Sequence, residues 1–417
     1  MSKFEYIPRV ISNQITELLG YFPSIVVVGA RQVGKSTLLK HLFPTYSYVL
    51  FDPYEDVENA RADPDLFLNN RSTPIILDEV QYAPEVISAI KRRIDRNKEP
   101  GQYILTGSQQ WGVMKQMAES LTGRTVIIQL ESFALAEIAS GQADHSWLRE
   151  WLTFPQKQTS VMVDNFYLPR PTYEQLWRGF LPDAQTLPLS YVQTFQSSYQ
   201  KTYIERDIRL LADLSDLHQF TRFVRIVAAL TSQEVNFQQI GRDLGVANLT
   251  AKRWLSLLKE IFEWHEIQPF SLNAIKRVSS KPKGYFADTG QICYCQAITS
   301  PQALGASPLW GAIFETAVIN ELRKQLLWMA QPFNLFHWRA HSGAEVDLII
   351  EQNGTYYPIE VKAKTRPTTS DTSGIKAFRK TYPTLSIAKG LVICLTENSY
   401  QLSDNDYAFP WNAKSFV

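Results

Sequence analysis

Hydrophobic and polar positions change rhythm several times along this chain. From Ser24 to about Leu130, short apolar runs ("IVVVG", "YVLFD", "PIILDE", "QYILTG" and "TVIIQL") alternate with stretches of helical period. That alternation predicts an α/β fold in which a parallel sheet carries helices on both faces. Before it, Ile11, Ile15, Leu18 and Leu19 mark one side of a short amphipathic helix ending at Gly20. Residues 141–172 are loosely patterned and rich in Gln, Thr and Pro, which predicts a long loop or lid. Helical period returns over 173–232, and 236–290 form a compact basic segment. After "SPQALGASP" comes a helix from about Leu309 to Trp328, a hairpin in "EVDLIIEQNGTYYPIEVKAK", a helix near 373–381 and the strand "GLVICL".

The 417 residues are enough for two to four domains of ordinary size. With 45% apolar and 20% charged residues, a disordered or fibrous class is excluded. Lys plus Arg number 42 against 41 Asp plus Glu, so any surface for a polyanion must be local. Cys293 and Cys295 form a CxC with no His-rich partner nearby, and Cys394 stands apart. They read as reduced thiols of a cytoplasmic protein. "MSKFEYIPRVISNQ" lacks the apolar stretch of a secretion signal, and no uncharged run reaches the ~18 residues of a membrane span. No membrane partner is expected.

The chemistry starts at "GARQVGKST". Gly29, Gly34, Lys35 and Ser36 fit the spacing GxxxxGK[ST], with Ala30, Arg31, Gln32 and Val33 between the glycines and Thr37 following. A strand precedes the loop and the helical run "STLLKHLF" follows it. The glycines permit a tight loop whose N–H groups point inward at phosphate oxygens, and the new helix adds the positive end of its dipole. Lys35 is placed to reach the β- and γ-phosphates of ATP, and the Ser36 hydroxyl is a hard ligand suited to Mg2+. The run "PIILDE" ends in two acids. Asp78 would hold Mg2+ through water, and Glu79 would orient the attacking water. In "ILTGSQQ", Thr106 and Ser108 either sense the γ-phosphate or its water, or serve a turn in which Ser108 caps a helix.

Over roughly residues 20–140 these motifs resemble the AAA-type P-loop ATPases. The resemblance implies a sheet of strand order 5-1-4-3-2 and a polar sensor at Thr106 or Ser108. It also implies a site shared between subunits of a homo-oligomer, completed by a trans-acting arginine. Arg124 in "SLTGR" is the first candidate for that arginine and Arg206 in "YIERDI" the second. A surface ion pair is the ordinary role of either.

"FQQIGRDLGVANLTAKRWLSLLKEIFE" reads as a helix, a turn at Gly245 and a second helix. Ile240 and Leu244 face inward from the first. Ala251, Leu255, Leu258 and Phe262 form the apolar stripe of the second, leaving Thr250, Lys252, Arg253, Ser256 and Lys259 outward. The strands "EWHEIQPF" and "KGYFAD" follow as a wing would, and the segment resembles winged-helix domains. Between Ala251 and Lys283, seven Lys/Arg against three Glu could supply phosphate contacts to DNA. A protein–protein module is the alternative.

In the C-terminal hairpin, Asn353-Gly354 is the strongest two-residue turn signal, of type I′. It pairs Gln352 with Thr355, so stepwise counting sets Asp347 opposite Glu360 and Glu345 opposite Lys362. Val346, Leu348 and Ile350 then share one face with Ile359 and Val361, and the four ionisable groups share the other. Opposed carboxylates destabilise a bare sheet. A divalent cation held by Asp347 and Glu360, Mg2+ or Mn2+, would offset them, activate water and stabilise a pentavalent phosphate, with Lys362 adding positive charge. The arrangement resembles the PD-(D/E)xK nucleases over roughly residues 305–395. The resemblance adds an acid from a preceding helix, which falls on Glu315, and "HWRAHSG" brings Arg339 and His341 near. Val346 stands before Asp347 where that family's motif has proline. The alternatives are an exposed hairpin with crossed charge pairs such as Lys362 with Glu345, and the same fold without catalysis.

Taken end to end, "LWRGFLP", "YIERDI", "KPKGYFADTG", "GAIFETAV" and "EVDLIIE…IEVK" resemble prokaryotic AAA-type ATPases in which a winged helix and a nuclease-like domain follow the motor. The expected division is an ATPase core over 1–140, lid and linker helices over 141–190, a helical and winged-helix domain over 191–300, and an α/β restriction-endonuclease-like domain over 301–417. The expected function is Mg2+-dependent ATP hydrolysis controlling a DNA-binding, and by resemblance DNA-cleaving, C-terminal region. The competing expectation is an ATP-dependent signalling or assembly switch whose nuclease-like fold only docks a partner.

Overall fold

The computed structural model describes residues 6–51, 57–108, 121–139, 146–154, 162–204, 208, 217–329 and 331–416. Five parallel strands build the N-terminal sheet: β1 (Ser24–Val28), β2 (Ser47–Leu50), β3 (Ile75–Asp78), β4 (Tyr103–Gly107) and β5 (Thr125–Gln129). Their order is β2-β3-β4-β1-β5, the order the resemblance implies. The apolar runs are continuous because both faces are covered. Ile25 and Val27 pack on Ile11, Ile15 and Leu19 of the Ser12–Leu19 helix and on Leu38 and Leu39 of the Lys35–Leu42 helix. Val26 and Val28 pack on Val86, Ile87, Ile90 and Ile94 of the Glu85–Arg96 helix.

The rest of the chain is organised by a second, mixed sheet. Its strands are β7 (Gln233–Glu234), β8 (Trp264–Pro269), β9 (Lys283–Phe286), β10 (Asn334–Arg339), β11 (Glu345–Gln352), β12 (Thr355–Lys362), β13 (Ser386–Ile387), β14 (Gly390–Cys394), β15 (Tyr400–Ser403) and β16 (Asp406–Pro410). They run in the order β15-β16-β14-β12-β11-β10-β8-β9-β7, with β13 beside β12. The β8–β9 hairpin expected as a free wing is therefore joined, through β8 and β10, to the sheet that carries the 345–362 hairpin.

Where the structure describes them, residues 141–172 carry a helix and a strand and are not one long loop. The Trp147–Thr153 helix packs on the C-terminal sheet, with the Trp151 ring 5.2 Å from Tyr357 and Trp147 4.5 Å from Phe409. Strand β6 (Val163–Asn165) pairs with β17 (Ala413–Phe416). Trp147, Leu148, Trp151 and Leu152 give this helix a buried face that its Gln- and Thr-rich surroundings obscure.

The helix pair at 237–260 forms as expected, as Phe237–Leu244 and Asn248–Glu260, with Gly245 in the left-handed region (φ 71°) that ends the first helix. The second helix ends before Phe262, which turns away at φ 63° and is not part of its stripe. Trp254 takes the apolar role instead, edge-on to Phe220 and Phe223. The long Trp310–Leu327 helix ties the two sheets together. Glu321 accepts the Leu135 N–H (3.0 Å), Lys324 donates to the Phe133 carbonyl (2.8 Å), and Arg323 pairs with Glu131 (3.0 Å). Among the described residues no helix is long and apolar enough to cross a membrane.

Candidate functional site

The phosphate loop is built by backbone geometry. Gly29 sits at φ 153°, where a Cβ would collide with the Leu130 carbonyl, and Gly34 caps the Lys35–Leu42 helix at φ 95°. Lys35 is buried, and its ammonium donates to the Gly29 and Ala30 carbonyls (2.9 Å each). Arg9, which the sequence pattern did not single out, braces the loop and also lines the cleft beside it. It pairs with Glu137 (2.9 Å) and donates to the Val33 (2.7 Å) and Glu131 (2.6 Å) carbonyls. A cleft of about 560 Å³ opens above the loop, lined by Arg31, Gln32, Val33, Gly34, Lys35, Ser36, Thr37 and Glu79 on one side. Tyr6, Ile7, Pro182, Asp183 and Thr186 line the other side.

Beneath the cleft, the two acids ending β3 are held by hydroxyls. Asp78 is fully buried and accepts from Thr106 and from the phenol of Tyr48. Tyr48 also hydrogen-bonds Ser36, so its hydroxyl lies between the two residues expected to hold Mg2+. Burial and the Asp78 carboxylate push the Tyr48 phenol far above its usual range. Glu79 adopts a left-handed backbone (φ 57°), its N–H donating to Thr106 Oγ (3.0 Å). Its carboxylate meets the Ser108 hydroxyl (3.1 Å) and the amide of Gln81. A non-glycine residue in that region is strained, a feature common where a side chain must be aimed. Thr106 and Ser108 thus serve the two acids directly; the helix that Ser108 would cap lies outside the described residues. The donors converging here, a serine hydroxyl and a carboxylate, fit a hard cation such as Mg2+.

Arg124, expected to act in trans, lies away from its own chain's cleft, where a trans-acting residue is not required. It precedes β5, whose Thr125 lies level with Ser24 at the opposite end of β1 from the phosphate loop, and it pairs with Asp95 (2.5 Å). A parallel strand delivers its C-terminal end, not its start, to the ligand side of such a sheet. Arg206 lies outside the described residues. Two tyrosines that the sequence pattern also passed over touch the loop from the helical region. Tyr203 accepts from Gln32 (2.7 Å), and Tyr199 lies 3.3 Å from the Arg31 carbonyl and 2.5 Å from Glu263.

The C-terminal hairpin closes as counted: Asn353 and Gly354 both have positive φ (52° and 77°), and Gln352 pairs with Thr355. Ladder pairing runs only to Leu348 opposite Ile359. Beyond it Asp347 turns its carboxylate into the gap and accepts the Val361 N–H (2.9 Å). An irregularity in the β10–β11 pairing, between Phe336 and Trp338, adds one residue to β11. Such a bulge re-aims side chains. It sends Val346 into the cluster of Phe336, Trp338, Ile349 and Phe378, while Leu348 and Ile350 stay with Ile359 and Val361. The expectation that Val346 shares their face is therefore corrected.

Glu315, Asp347, Glu360 and Lys362 do come together. Lys362 pairs with Glu360 (2.9 Å) and lies 3.9 Å from Asp347, while Glu345 turns to Arg339 (4.0 Å) instead of Lys362. The helix after the hairpin approaches closely at Gly374, where a Cβ would collide with the Glu345 carbonyl and with Glu360. His341 lies exposed in the β10–β11 turn, outside the cluster. The residue missed by pattern is Lys283 on β9. Its ammonium is buried between Glu315 (2.6 Å) and Asp347 (2.8 Å), and Tyr285 donates to Glu315 (2.9 Å). "KPKGYFAD" signalled a strand, but nothing in its spacing marked Lys283 as the partner of acids 32 and 64 residues away. Burial and the neighbouring Asp347 charge push Glu315 up to about 7 despite Lys283, and raise Glu360 strongly. The two lysines hold Asp347 well below the usual carboxylate range against its own burial. Among the described residues no three His, Cys, Asp or Glu side chains are grouped to hold a metal ion, and Asp347 meets Lys283 and Lys362.

The basic patch near the helix pair is also smaller than its sequence count. Lys283 is consumed in the interior, Lys259 is paired with Glu266 and Arg277 is half-buried against the Ser271 carbonyl; among the described side chains Lys252 and Arg253 remain exposed on the second helix and Lys281 before β9. Cys293, Cys295 and Cys394 are buried free thiols, and burial pushes Cys295 up to about 12.

Residues 21–139 match a family model described as an AAA domain. Over these residues the chain is similar to AAA-type P-loop ATPase domains, a class that binds and hydrolyses ATP, usually with Mg2+. Residues 170–302 and 310–413 match two models described as domains of unknown function, DUF8612 and DUF4143. The uncharacterized proteins Rv2008c of Mycobacterium tuberculosis and Mb2031c of Mycobacterium bovis are each 28% identical over 93% of this chain and 80% of their own length. Among solved structures, a Walker-type ATPase of Pyrococcus abyssi aligns with 70% of this chain and 99% of its own, at 14% identity and a TM-score of 0.43. The RuvB Holliday junction branch migration motor of Thermotoga maritima aligns with 65% of this chain and 94% of its own, at 14% identity and a TM-score of 0.29.

Proposed function

We propose that the chain hydrolyses ATP at the phosphate loop and uses the nucleotide state to reposition its C-terminal half. The carrying observation is the joined array of Lys35, Ser36, Asp78, Glu79 and Thr106 at one cleft. Gly29 to Thr37 receive the phosphates, Lys35 leaves the loop carbonyls for the γ-phosphate, and Ser36 and Asp78 hold Mg2+. When bound, the ion neutralises phosphate charge. Glu79, released from Ser108 and Gln81, positions the attacking water. Tyr199 and Tyr203, which touch Arg31 and Gln32, carry loop movements toward the helical region; in a homo-oligomer, Arg124 or Arg206 of a neighbouring copy completes the shared site. Lys252, Arg253 and Ser256 on the exposed side of the second helix give the repositioned half its DNA contact.

Lys35→Ala tests this. ATP turnover is expected to fall below detection while the fold melts as in wild type; unchanged turnover sinks the hydrolysis reading. The second reading, an ATP-dependent assembly switch whose C-terminal domain only docks a partner, is favoured by Lys283 inside the acid cluster. ATP-dependent oligomerisation without turnover, followed by light scattering, would select it.

A further inference from the structure

We propose that Lys283 is the resident cation of the C-terminal acid cluster. Its ammonium bridges Glu315 and Asp347 while Lys362 holds Glu360, so the three acids form a closed ionic joint and not a metal-dependent phosphodiesterase site. Glu315 and Asp347 come from different elements, a helix and β11, and a bridging metal would have to share their oxygens. Lys283 already holds one oxygen of each, at 2.6 and 2.8 Å. Further ligand oxygens are committed as well. Asp347's other oxygen takes the Val361 N–H (2.9 Å), one Glu360 oxygen takes Lys362 (2.9 Å), and the Glu315 oxygen that meets Lys283 also takes the Tyr285 hydroxyl (2.9 Å), so two carboxylate oxygens of the three acids are left. A hard divalent ion asks for about six oxygen ligands.

Lys283 is also fixed in place. Its backbone pairs with Ile267 on β8 and Glu234 on β7, and its side chain is buried. Access is not the obstacle, since a polar cleft of about 510 Å³ opens onto Lys283 and Glu315. The obstacle is charge. An ion ligated by Asp347 would lie within about 5 Å of Lys283 in a poorly screened interior, and the two cations repel. The ammonium supplies the compensation that opposed carboxylates require, and the cluster locks the 283–286 strand to the 310–327 helix and the 345–362 hairpin.

The test uses the full chain without nucleotide, titrated with Mn2+ and followed by electron paramagnetic resonance and by melting temperature. Wild type and Asp347→Asn should bind Mn2+ alike, with no saturable site that depends on Asp347. Lys283→Met should gain a site at least about tenfold tighter, with melting raised by Mn2+, and Lys283→Met with Asp347→Asn should lose it. Lys283→Arg should behave as wild type. An Asp347-dependent Mn2+ site in wild type overturns the proposal, and so does a folded Lys283→Met that gains none. Should Lys283→Met fail to fold, the wild type and Asp347→Asn comparison still decides. ATP turnover of the same variants reports separately on the phosphate loop, so failure of either assignment leaves the other standing.

Discussion

Two pairs of acids sit at strand ends in this molecule, and they are compensated in opposite ways. Asp78 is held by the hydroxyls of Thr106 and Tyr48, and Glu79 by Ser108 and the Gln81 amide. These are neutral donors. They orient a carboxylate without cancelling its charge, which stays available to a cation or a water. Asp347 and Glu360 are held by the ammonium groups of Lys283 and Lys362. Charged donors orient and neutralise together, leaving little for an incoming ion. Both pairs look alike as motifs; the partners decide which is open for chemistry.

The strongest way to break that contrast is Glu79→Gln. It keeps shape and hydrogen bonding and removes the charge that the hydroxyl shell preserves. ATP turnover is expected to drop at least about a hundredfold with ATP binding retained, read by phosphate release and nucleotide titration. Turnover near wild type would mean that Glu79 is merely part of a turn.

The next largest effect belongs to the closed cluster. Lys283→Met leaves Glu315 and Asp347 buried without their shared partner, which costs about 3–5 kcal/mol. Removing an exposed partner costs far less. Lys364, paired with Asp371 at the surface, should give less than about 1 kcal/mol on substitution by Met. Melting curves of the two variants side by side check the difference, and equal losses would show that Lys283 is not fastening the cluster.

Much of the open site was legible because its signals are local. A phosphate loop is nine consecutive residues, and Asp78 and Glu79 follow a single apolar strand. The sheet order followed from resemblance and the hairpin register from a two-residue turn. What escaped is non-local or alters register. Lys283 reaches its acids only because β8 bridges β9 to the hairpin sheet through β10. The bulge that moves Val346 arises from pairing with β10, which the hairpin count did not include. Trp254 was passed over because the helix buries a wider arc, against Phe220 and Phe223 as well as its neighbour helix. The helix at 147–153 was lost in a polar stretch because its partner surface lies more than two hundred residues on, at Tyr357 and Phe409.

Tyr48→Phe probes the contrast most finely. Tyr48 lies on β2, an edge strand of the ATPase sheet, and nothing in "YSYVLFD" marks it as functional. Yet its phenol reaches Asp78 and Ser36 together and its ring lies beneath Lys40, 3.9 Å from the ammonium. Phenylalanine keeps the ring and its stacking and removes only the hydroxyl. Asp78 is then oriented by Thr106 alone, so the carboxylate loses part of its aim while keeping all of its charge. Loss of such an outer partner typically weakens a metal site by about tenfold or more. The Mg2+ concentration for half-maximal ATP turnover should therefore rise about tenfold, while turnover at saturating Mg2+ stays near wild type. A fall in saturating turnover with no change in Mg2+ requirement would place Tyr48 in the chemistry itself. No change in either would mean that Thr106 suffices, and that one neutral donor is enough to hold an open acid in place.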